Sequence, residues 1–346
     1  MPGYADMIRE IKENRLGKLY LFHGEEAYLR AHCLEKLQKA LVPEGAEGFN
    51  LHRFSGKSVI LGELADAVES VPFLCERRLV IVDDFDLMGI PAAERDGWAA
   101  FLGGLPDTCC LVFLYDTIPY KPDGRSKIQA ALNKNACIVE FKEQEDFQLI
   151  SWVERHLRAH GKEIDRPLCE HLIFRCGRGM TALYGEIQKI AAYNEGPRVT
   201  REAVDEVTEP VLEAVSFDLS DAIADGNIKK AAHILQTLQW MREPPETLLG
   251  AVGKTLRGLY VARLAIERGK TAREVMTVCG YRSPYPAEKL MRSARKRPLA
   301  WCKNALLACR EADGMLKGEM ETERERVMEW LLAVLFLCGK KENETV

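Results

Sequence analysis

Two short stretches of the sequence contain glycine, lysine and a hydroxyl residue in the order that ends a phosphate-binding loop. They are residues 253–255 (GKT) and residues 56–58 (GKS). A working loop has the pattern GxxxxGK[ST] between a strand and a helix, because its first glycine lets successive backbone N–H groups point at the phosphates. Leu248 and Leu51 stand at the positions of that first glycine. We therefore expect neither stretch to cradle a nucleoside triphosphate.

The surroundings of the two stretches support the same conclusion. Residues 248–258 (LLGAVGKTLRG) carry leucine and valine at helical spacing, so Lys254 is predicted on the exposed side of a helix. The other copy lies between a predicted strand and a helix, but its loop is too short to wrap a triphosphate. It could attract a stray anion to the helix N-terminus and nothing more.

The first predicted strand is followed by residues 23–27 (HGEEA), where a phosphate loop would belong. This loop has no lysine, and the carboxylates of Glu25 and Glu26 would complement the helix dipole and repel ATP. Asp83 and Asp84 follow an apolar strand, as do the acids of a magnesium-and-water motif, yet no phosphate cradle accompanies them. The sequence therefore predicts a P-loop-like scaffold without hydrolysis, with no catalytic residue and no cofactor.

Cysteine and histidine offer no clear metal site. The chain has eleven cysteines, none in a CxxC pair, and Cys109 and Cys110 are adjacent within an apolar run. Such a pattern is typical of reduced, buried thiols. His156 and His160 could share an ion on one helix face, but the sequence suggests no third ligand. We expect no bound metal.

Composition limits the class of protein. The chain has 346 residues, 47% apolar and 29% charged, with a formal net charge of −4. This length predicts two or three globular domains, and any contact with nucleic acid must be local because the chain is acidic. The N-terminus has no signal-peptide pattern, and the apolar run at residues 330–338 is far shorter than the ~20 residues that span a bilayer. A cytoplasmic protein without membrane contact is expected.

Five apolar runs separated by helical patterns predict a mainly parallel sheet covered on both faces. The predicted strands are residues 18–23, 49–54, 78–82, 109–115 and 137–141. From Glu143 onward the pattern is helical. Ser151 with Glu154, and Thr271 with Glu274, fit capping boxes at helix starts. The fold class is therefore α/β plus all-α.

The pattern divides the chain into a sheet domain at residues 1–142, a small helical module at 143–211 and a larger helical domain at 212–346. The last predicted helix, residues 321–338, is apolar on every side near its end. Such a helix end must be covered by its own domain or by another subunit.

Several stretches, in their order and spacing, make the sequence similar to a known family over nearly its whole length. They are LYLFHGEEAYL at 19–29, VPFLCERRLVIVDDFD at 71–86, GEIQKIAAY at 185–193, FDLSDAIADGN at 217–227 and EADGMLKGEM at 311–320. The sequence resembles the delta subunit of bacterial DNA polymerase III, the clamp-loader subunit that opens the sliding clamp. The resemblance implies an AAA+-like sheet domain without ATPase activity, a helical lid and a helical collar that oligomerises.

The resemblance also implies a clamp-opening element, an apolar pair at the tip between a helix and the next strand. Here the pair is Phe73-Leu74, preceded by Pro72. The residues alone favour packing of the pair under the sheet, because apolar residues at such junctions are usually core, and the resemblance reverses this preference. Of Arg77 and Arg78, one would surround the contact and the other would cover the strand start. We predict that Phe73, Leu74 and Arg77 contact the clamp.

Residues 292–297 (RSARKR) form a local basic run downstream of Tyr281 and Tyr285. Cations beside aromatic rings suit a site that stacks bases and follows phosphates. A solvated helix face ended by Pro298 explains the same run. The resemblance implies that this region faces primed DNA, so Tyr285, Arg292 and Arg295 are candidate DNA-binding residues.

The interpretation is a non-catalytic subunit of a DNA-directed DNA polymerase holoenzyme, a nucleotidyltransferase. Its expected partners are the sliding beta clamp, the delta-prime and gamma/tau subunits, and primed DNA within the complex. An active AAA+ ATPase of a replication or repair complex is the main alternative. A stand-alone DNA-binding helical protein is a third, against which the net charge argues.

Overall fold

A computed structural model describes residues 2–56, 59–318, 324 and 326–340 of the protein. The chain divides into two compact units, one ending at Gln144 and the other beginning at Glu145. The first contains a parallel sheet with helices and the second is built of helices, so the predicted fold class is confirmed. The predicted separation of residues 143–211 from 212–346 falls inside the second unit and stays a prediction.

The sheet of the first unit has five strands in the order β2-β3-β4-β1-β5, and all neighbouring strands are parallel. The strands are β1 (Leu19–His23), β2 (Leu51–Ser55), β3 (Arg78–Asp83), β4 (Cys109–Leu114) and β5 (Cys137–Glu140). The three central strands are buried along almost their whole length. Continuous apolar runs are what a sheet covered on both faces requires.

The edge strand β2 departs from the prediction. Residues 49–54 were expected as a strand, but β2 begins at Leu51 because Phe49 and Asn50 end a one-turn helix. Phe49 therefore lies outside the alternating pattern of the strand, and its side chain is exposed.

Helices cover both faces of the sheet. They are α1 (Tyr4–Lys12), α2 (Ala27–Leu41), α3 (Glu47–Asn50), α4 (Leu61–Glu69), α5 (Arg95–Gly103) and α6 (Lys127–Asn135), with a short 3₁₀ helix at Leu87–Gly89. Leu64, Trp98 and Ile128, from α4, α5 and α6, pack in one core with Leu21 and Phe113 of the sheet. Helix α1 contacts α2 and β5 and was not among the predicted elements.

The second unit contains eleven helices within its described residues. They are α7 (Asp146–Ala159), α8 (Arg166–Cys176), α9 (Met180–Tyr193), α10 (Arg201–Val207), α11 (Leu212–Ala224), α12 (Ile228–Trp240), α13 (Pro245–Glu267), α14 (Ala272–Cys279), α15 (Pro284–Ala294), α16 (Leu299–Leu316) and α17 (Val327–Lys340). Helix α13 packs against α11, α14, α15, α16 and α17. Its buried side chains join those of Phe217 and Trp301 in one core. Within the described ranges, no helix combines the length and the apolar character needed to cross a bilayer.

One predicted helix start is confirmed and another is wrong. Thr271 and Glu274 form the capping box of α14. Ser151 instead lies inside α7, whose capping box pairs Glu145 with Gln148. The Ser151 hydroxyl donates to the carbonyl of Phe147, a bond within the helix that serine often makes.

Candidate functional site

The predicted contact residues lie on the segment that joins α4 to β3. Phe73 is 49% exposed and Leu74 is 80% exposed, and Val71 beside them is also exposed. We call Val71, Phe73 and Leu74 the apolar tip. Their side chains do not pack under the sheet, which was the alternative for this pair. Large apolar side chains at an exposed turn are suited to fill an apolar pocket on a partner.

Leu74 has a left-handed backbone conformation, with φ of 56°. For a residue with a Cβ atom this conformation costs about 1–2 kcal/mol. Such strain persists only where the surrounding structure fixes the backbone, and it is concentrated at functional sites.

Asn50 fixes the backbone of the tip. Its side chain is completely buried, and its amide oxygen accepts a hydrogen bond from the Phe73 N–H at 2.7 Å. Its amide nitrogen donates to the Phe73 carbonyl at 2.7 Å and to the Ala46 carbonyl at 3.3 Å. One side chain therefore satisfies both backbone groups of the aromatic residue.

Phe49 lies beside the tip, and sequence reasoning missed it. Its ring centroid is 4.9 Å from that of Phe73, and its side chain is 62% exposed. In the sequence it is the first residue of the strand predicted at residues 49–54. Only the one-turn helix before β2, which has no clear signal in the sequence, turns it outward.

Arg77 and Arg78 anchor the base of the tip. The Arg77 guanidinium donates to the carbonyls of Leu16 at 2.8 Å, Gly17 at 3.0 Å and Asp107 at 2.9 Å. Arg78 is buried and donates to the Phe49 carbonyl at 3.2 Å. Arg77 therefore has bonds within its own chain, and its predicted contact with a clamp stays a prediction.

The loop between β1 and α2, where a phosphate loop would belong, is closed against the end of β5. Gly24 has φ of 123°, and a Cβ atom there would lie 2.3 Å from the Phe141 carbonyl oxygen. The Glu26 N–H donates to that carbonyl at 3.0 Å, and the buried Arg30 donates to the Gly24 carbonyl at 2.5 Å. The Glu26 side chain accepts from the Tyr28 N–H at the start of α2. A carboxylate thus lies where a phosphate would bind.

The acids after β3 are also engaged. Asp83 forms an ion pair with Arg53, in which one hydrogen bond measures 2.9 Å. Asp84 accepts from the N–H groups of Asp116 and Thr117, each at 2.8 Å, and from the Thr117 hydroxyl at 2.7 Å. Partial burial alone would raise the pKa of Asp84, but these bonds bring it below its ordinary value. Both acids therefore stabilise the chain itself.

The structure describes the GKT stretch completely and the GKS stretch only at its glycine. Lys254 and Thr255 lie inside α13, as predicted, where Lys254 pairs with Glu213 at 2.8 Å. A Cβ atom at Gly56 would lie 2.0 Å from the Asp84 carbonyl oxygen, and residues 57–58 lie outside the described residues.

The candidate DNA-binding residues lie on α15 and at its end. The Tyr285 hydroxyl is 2.9 Å from Nδ1 of His171, whose Nε2 is 2.6 Å from the Asp205 carboxylate. Burial lowers the pKa of His171, and the hydrogen bond to Asp205 only partly opposes this. Arg292 and Arg295 are exposed. Arg292 and Arg295 thus extend into solvent, while the hydroxyl of the candidate tyrosine is already bonded within the chain.

The other two basic residues in that run hold α15 against α11. Lys296 pairs with Asp225 at 2.5 Å, and Arg297 donates to the carbonyls of Ile223 and Ala224 at 2.7 and 3.0 Å. Their binding partners lie at the end of the FDLSDAIADGN stretch. A local basic run in the sequence is therefore partly a helix-packing feature.

Sequence reasoning also missed Lys289, which lies at the centre of the same interface. Its ammonium is 2.6 Å from Asp218 and 3.3 Å from Asp221, and it lies over the rings of Phe174 and Phe217. Burial would lower the pKa of Lys289, but the two carboxylates raise it above the ordinary value. The first two aspartates of the FDLSDAIADGN stretch, Asp218 and Asp221, thus pair with one largely buried lysine.

Comparisons with known proteins agree with this architecture. A family model described as "DNA polymerase III, delta subunit" matches residues 20–142, and one for the C-terminal domain of the same subunit family matches residues 213–335. DNA polymerase III subunit delta of Bacillus subtilis (strain 168) is 23% identical over 275 residues, which cover 78% of this chain and 79% of that protein. The solved structure of the Bacillus subtilis DNA clamp loader delta protein has a TM-score of 0.54 and 21% identity, covering 96% of this chain and 99% of that chain. Since the two models together match well over half of the sequence, the chain belongs to the family of DNA polymerase III delta subunits.

Proposed function

We propose that this chain binds and opens a sliding beta clamp through the apolar tip, as a clamp-loader subunit that hydrolyses no ATP of its own. The observation that carries the proposal is the exposure of Phe73 and Leu74 on a backbone held by a buried asparagine. Membership of the delta-subunit family supports it.

The apolar side chains of the tip are large enough to contribute much of the binding free energy of an interface. Burying one phenylalanine and one leucine completely contributes about 3–6 kcal/mol, and Phe73 is already half-buried, so the gain is toward the lower end. The ordering cost is small because the backbone is already held in the free chain.

Opening a closed ring requires more than affinity. A ligand shifts a conformational equilibrium only by its differential affinity for the two states. The tip must therefore bind an apolar pocket whose shape fits better when the clamp interface is open. Rigid presentation of Phe73 and Leu74 favours such discrimination, because a flexible loop would adapt to both states.

The test is the double substitution Phe73→Ala with Leu74→Ala. Loss of the two side chains should weaken clamp binding by about 30-fold or more, with little change in the unfolding temperature. Ile60→Ala is the matched control, because Ile60 is a 60% exposed apolar residue just before α4 in the same unit. Binding of the double variant at wild-type affinity would overturn the proposal.

The absence of ATP hydrolysis rests on the closed loop after β1. Phe141 and Arg30 take up the backbone groups of that loop, and Glu26 brings negative charge to the start of α2. We expect a titration with fluorescent ATP and magnesium to give no saturable binding to the isolated chain. Saturable binding would instead favour the alternative function, an active AAA+ ATPase.

The second unit supplies the proposed contacts with other loader subunits. Residues 143–211 would act as a lid that responds to neighbouring ATPase subunits, and residues 212–346 as a collar that joins delta-prime and gamma/tau. Helix α17 supports the collar role. It is mostly apolar, and Leu337 is exposed on it although Leu331 and Leu335 are buried.

A further inference from the structure

We propose that the junction of α3 and β2 is the second half of the contact site, in which Asn50 positions the tip and Phe49 adds a further large apolar side chain beside it. The inference rests on the proposed function, because it takes the clamp as the occupant of the surface. It assigns roles to two residues that neither the sequence pattern nor the family match singles out.

Asn50 is well placed to control the geometry of the tip. Within the described part of the chain, its two bonds to Phe73 are the hydrogen bonds made by the backbone of residues 71–74. Its third bond, to Ala46, ties the amide to the turn before β2. Because the asparagine side chain is fully buried, water does not compete for its amide group.

The hydrogen bonds of Asn50 explain how Leu74 keeps its strained conformation. A left-handed leucine relaxes to a common conformation unless its neighbours prevent it. Asn50 fixes the residue immediately before it. Removing the asparagine should therefore let Leu74 relax and change the direction in which both tip side chains extend.

Phe49 continues the apolar surface from the tip onto the α3–β2 junction. Its ring packs on that of Phe73, and its carbonyl is fixed by Arg78. Since Phe49 and Asn50 are consecutive, the inward direction of Asn50 is accompanied by the outward direction of Phe49. The same one-turn helix therefore holds the tip and adds to its apolar area.

The experiment measures clamp affinity of the full chain for Phe49→Ala, Asn50→Ala and Asn50→Asp, with Ile60→Ala as control. We expect a loss of about five-fold for Phe49→Ala and about ten-fold for Asn50→Ala, and no change for the control. Asn50→Asp keeps the acceptor for the Phe73 N–H but places a buried carboxylate oxygen against the carbonyls of Phe73 and Ala46, so its loss of affinity should be at least as large as that of Asn50→Ala. Full affinity of both Phe49→Ala and Asn50→Ala would overturn the inference.

A double-mutant cycle separates positioning from general instability. In a background that carries both Phe73→Ala and Leu74→Ala, Asn50→Ala should weaken binding less than two-fold further, because both side chains that it positions are already truncated. Hydrogen exchange should speed up at the Phe73 amide and stay unchanged in β1, β3 and β4. Additive losses, or faster exchange throughout the sheet, would assign Asn50 a merely structural role.

If Asn50→Ala does not fold, Asn50→Ser, which leaves a small neutral polar group at the buried position, takes its place in the same cycle, and Phe49→Ala still tests the apolar part of the inference. The two proposals also fail differently. A wild-type chain that does not bind the clamp overturns the proposed function and this inference with it. A clamp contact that depends on Phe73 and Leu74 but not on Phe49 or Asn50 overturns the inference alone.

Discussion

Leu74 holds a backbone conformation that a residue with a side chain adopts only under constraint, and it does so at an exposed position. Nothing in packing rewards this choice, because most of the side chain extends into solvent. The conformation is explained if the direction of the leucine side chain matters to a partner. Strain and exposure at one residue therefore point to recognition and not to stability.

Leu74→Gly separates the strain from the side chain. Glycine relieves about 1–2 kcal/mol of left-handed strain and adds about 0.5–1 kcal/mol of unfolded-chain entropy. The free energy of unfolding should therefore stay the same or rise by about 1 kcal/mol, while clamp affinity falls. Denaturant unfolding and binding measurements on Leu74→Gly and Leu74→Ala check this, since alanine removes the side chain but keeps the strain. A Leu74→Gly variant destabilised by more than about 1 kcal/mol would contradict the assignment of strain.

Among the secondary-structure elements, α11 and α15 are joined through charges. Lys289 of α15 lies between two carboxylates and two rings of its neighbours. Removing one partner of a deeply buried pair costs about 3–5 kcal/mol, and less where water reaches the remaining charges. Asp218 is partly exposed, so the cost at this interface is reduced.

Lys289→Met should lower the free energy of unfolding by roughly 1–2 kcal/mol, because it leaves two aspartates without their cation. Lys296→Met is the matched control, since Lys296 pairs with Asp225 in solvent and should cost less than about 1 kcal/mol. Adding Asp218→Asn and Asp221→Asn to Lys289→Met should restore much of the loss. Equal effects of the two lysine substitutions in urea unfolding would refute the special role of Lys289.

The elements also mark where the sequence was sufficient. Apolar runs separated by helical patterns predicted a parallel sheet, and the continuous runs of β3 and β4 indicated strands covered on both faces. The start of β2 was predicted wrongly, since α3 is one turn long and one turn leaves no periodicity to detect. Ser151 was read as a cap because its pattern with Glu154 also occurs inside helices. Contacts distant in sequence, such as those of Asn50 with Phe73 and Lys289 with Asp218, have no local signal.

At the scale of the whole molecule, the two ends of the parallel strands in the first unit carry different features. In a parallel sheet the loop after β1 and the acids after β3 lie at the carboxyl ends of the strands, where nucleotides usually bind. At these carboxyl ends, Phe141 and Arg30 bond the loop after β1, and Asp84 bonds the backbone after β4. The tip precedes β3 and therefore lies at the amino ends of the strands. Closure of the nucleotide position therefore need not affect the tip, and under the proposed function any control of the tip would come from other subunits.

The acidic character of the whole chain decides how DNA binding should be tested. With a net charge of −4, the free chain should bind DNA weakly, so Arg292 and Arg295 can contribute only where an assembly brings DNA to them. Each phosphate contact adds about 0.9 to the slope of log affinity against log salt. Arg292→Ala with Arg295→Ala should lower primed-DNA affinity of the assembled loader and reduce that slope by up to about two.

Two controls make this result specific. Lys36→Ala removes an exposed positive charge from α2 in the sheet unit and should leave the slope unchanged. Tyr285→Phe removes the hydroxyl that bonds His171 but keeps the ring, so it should change DNA affinity little if the ring stacks on a base. Tyr285→Ala should then weaken binding without changing the slope, because stacking releases no counterions. An affinity and a slope that both stay at wild-type values in the arginine double variant would show that this basic run serves only to pack α15 on α11.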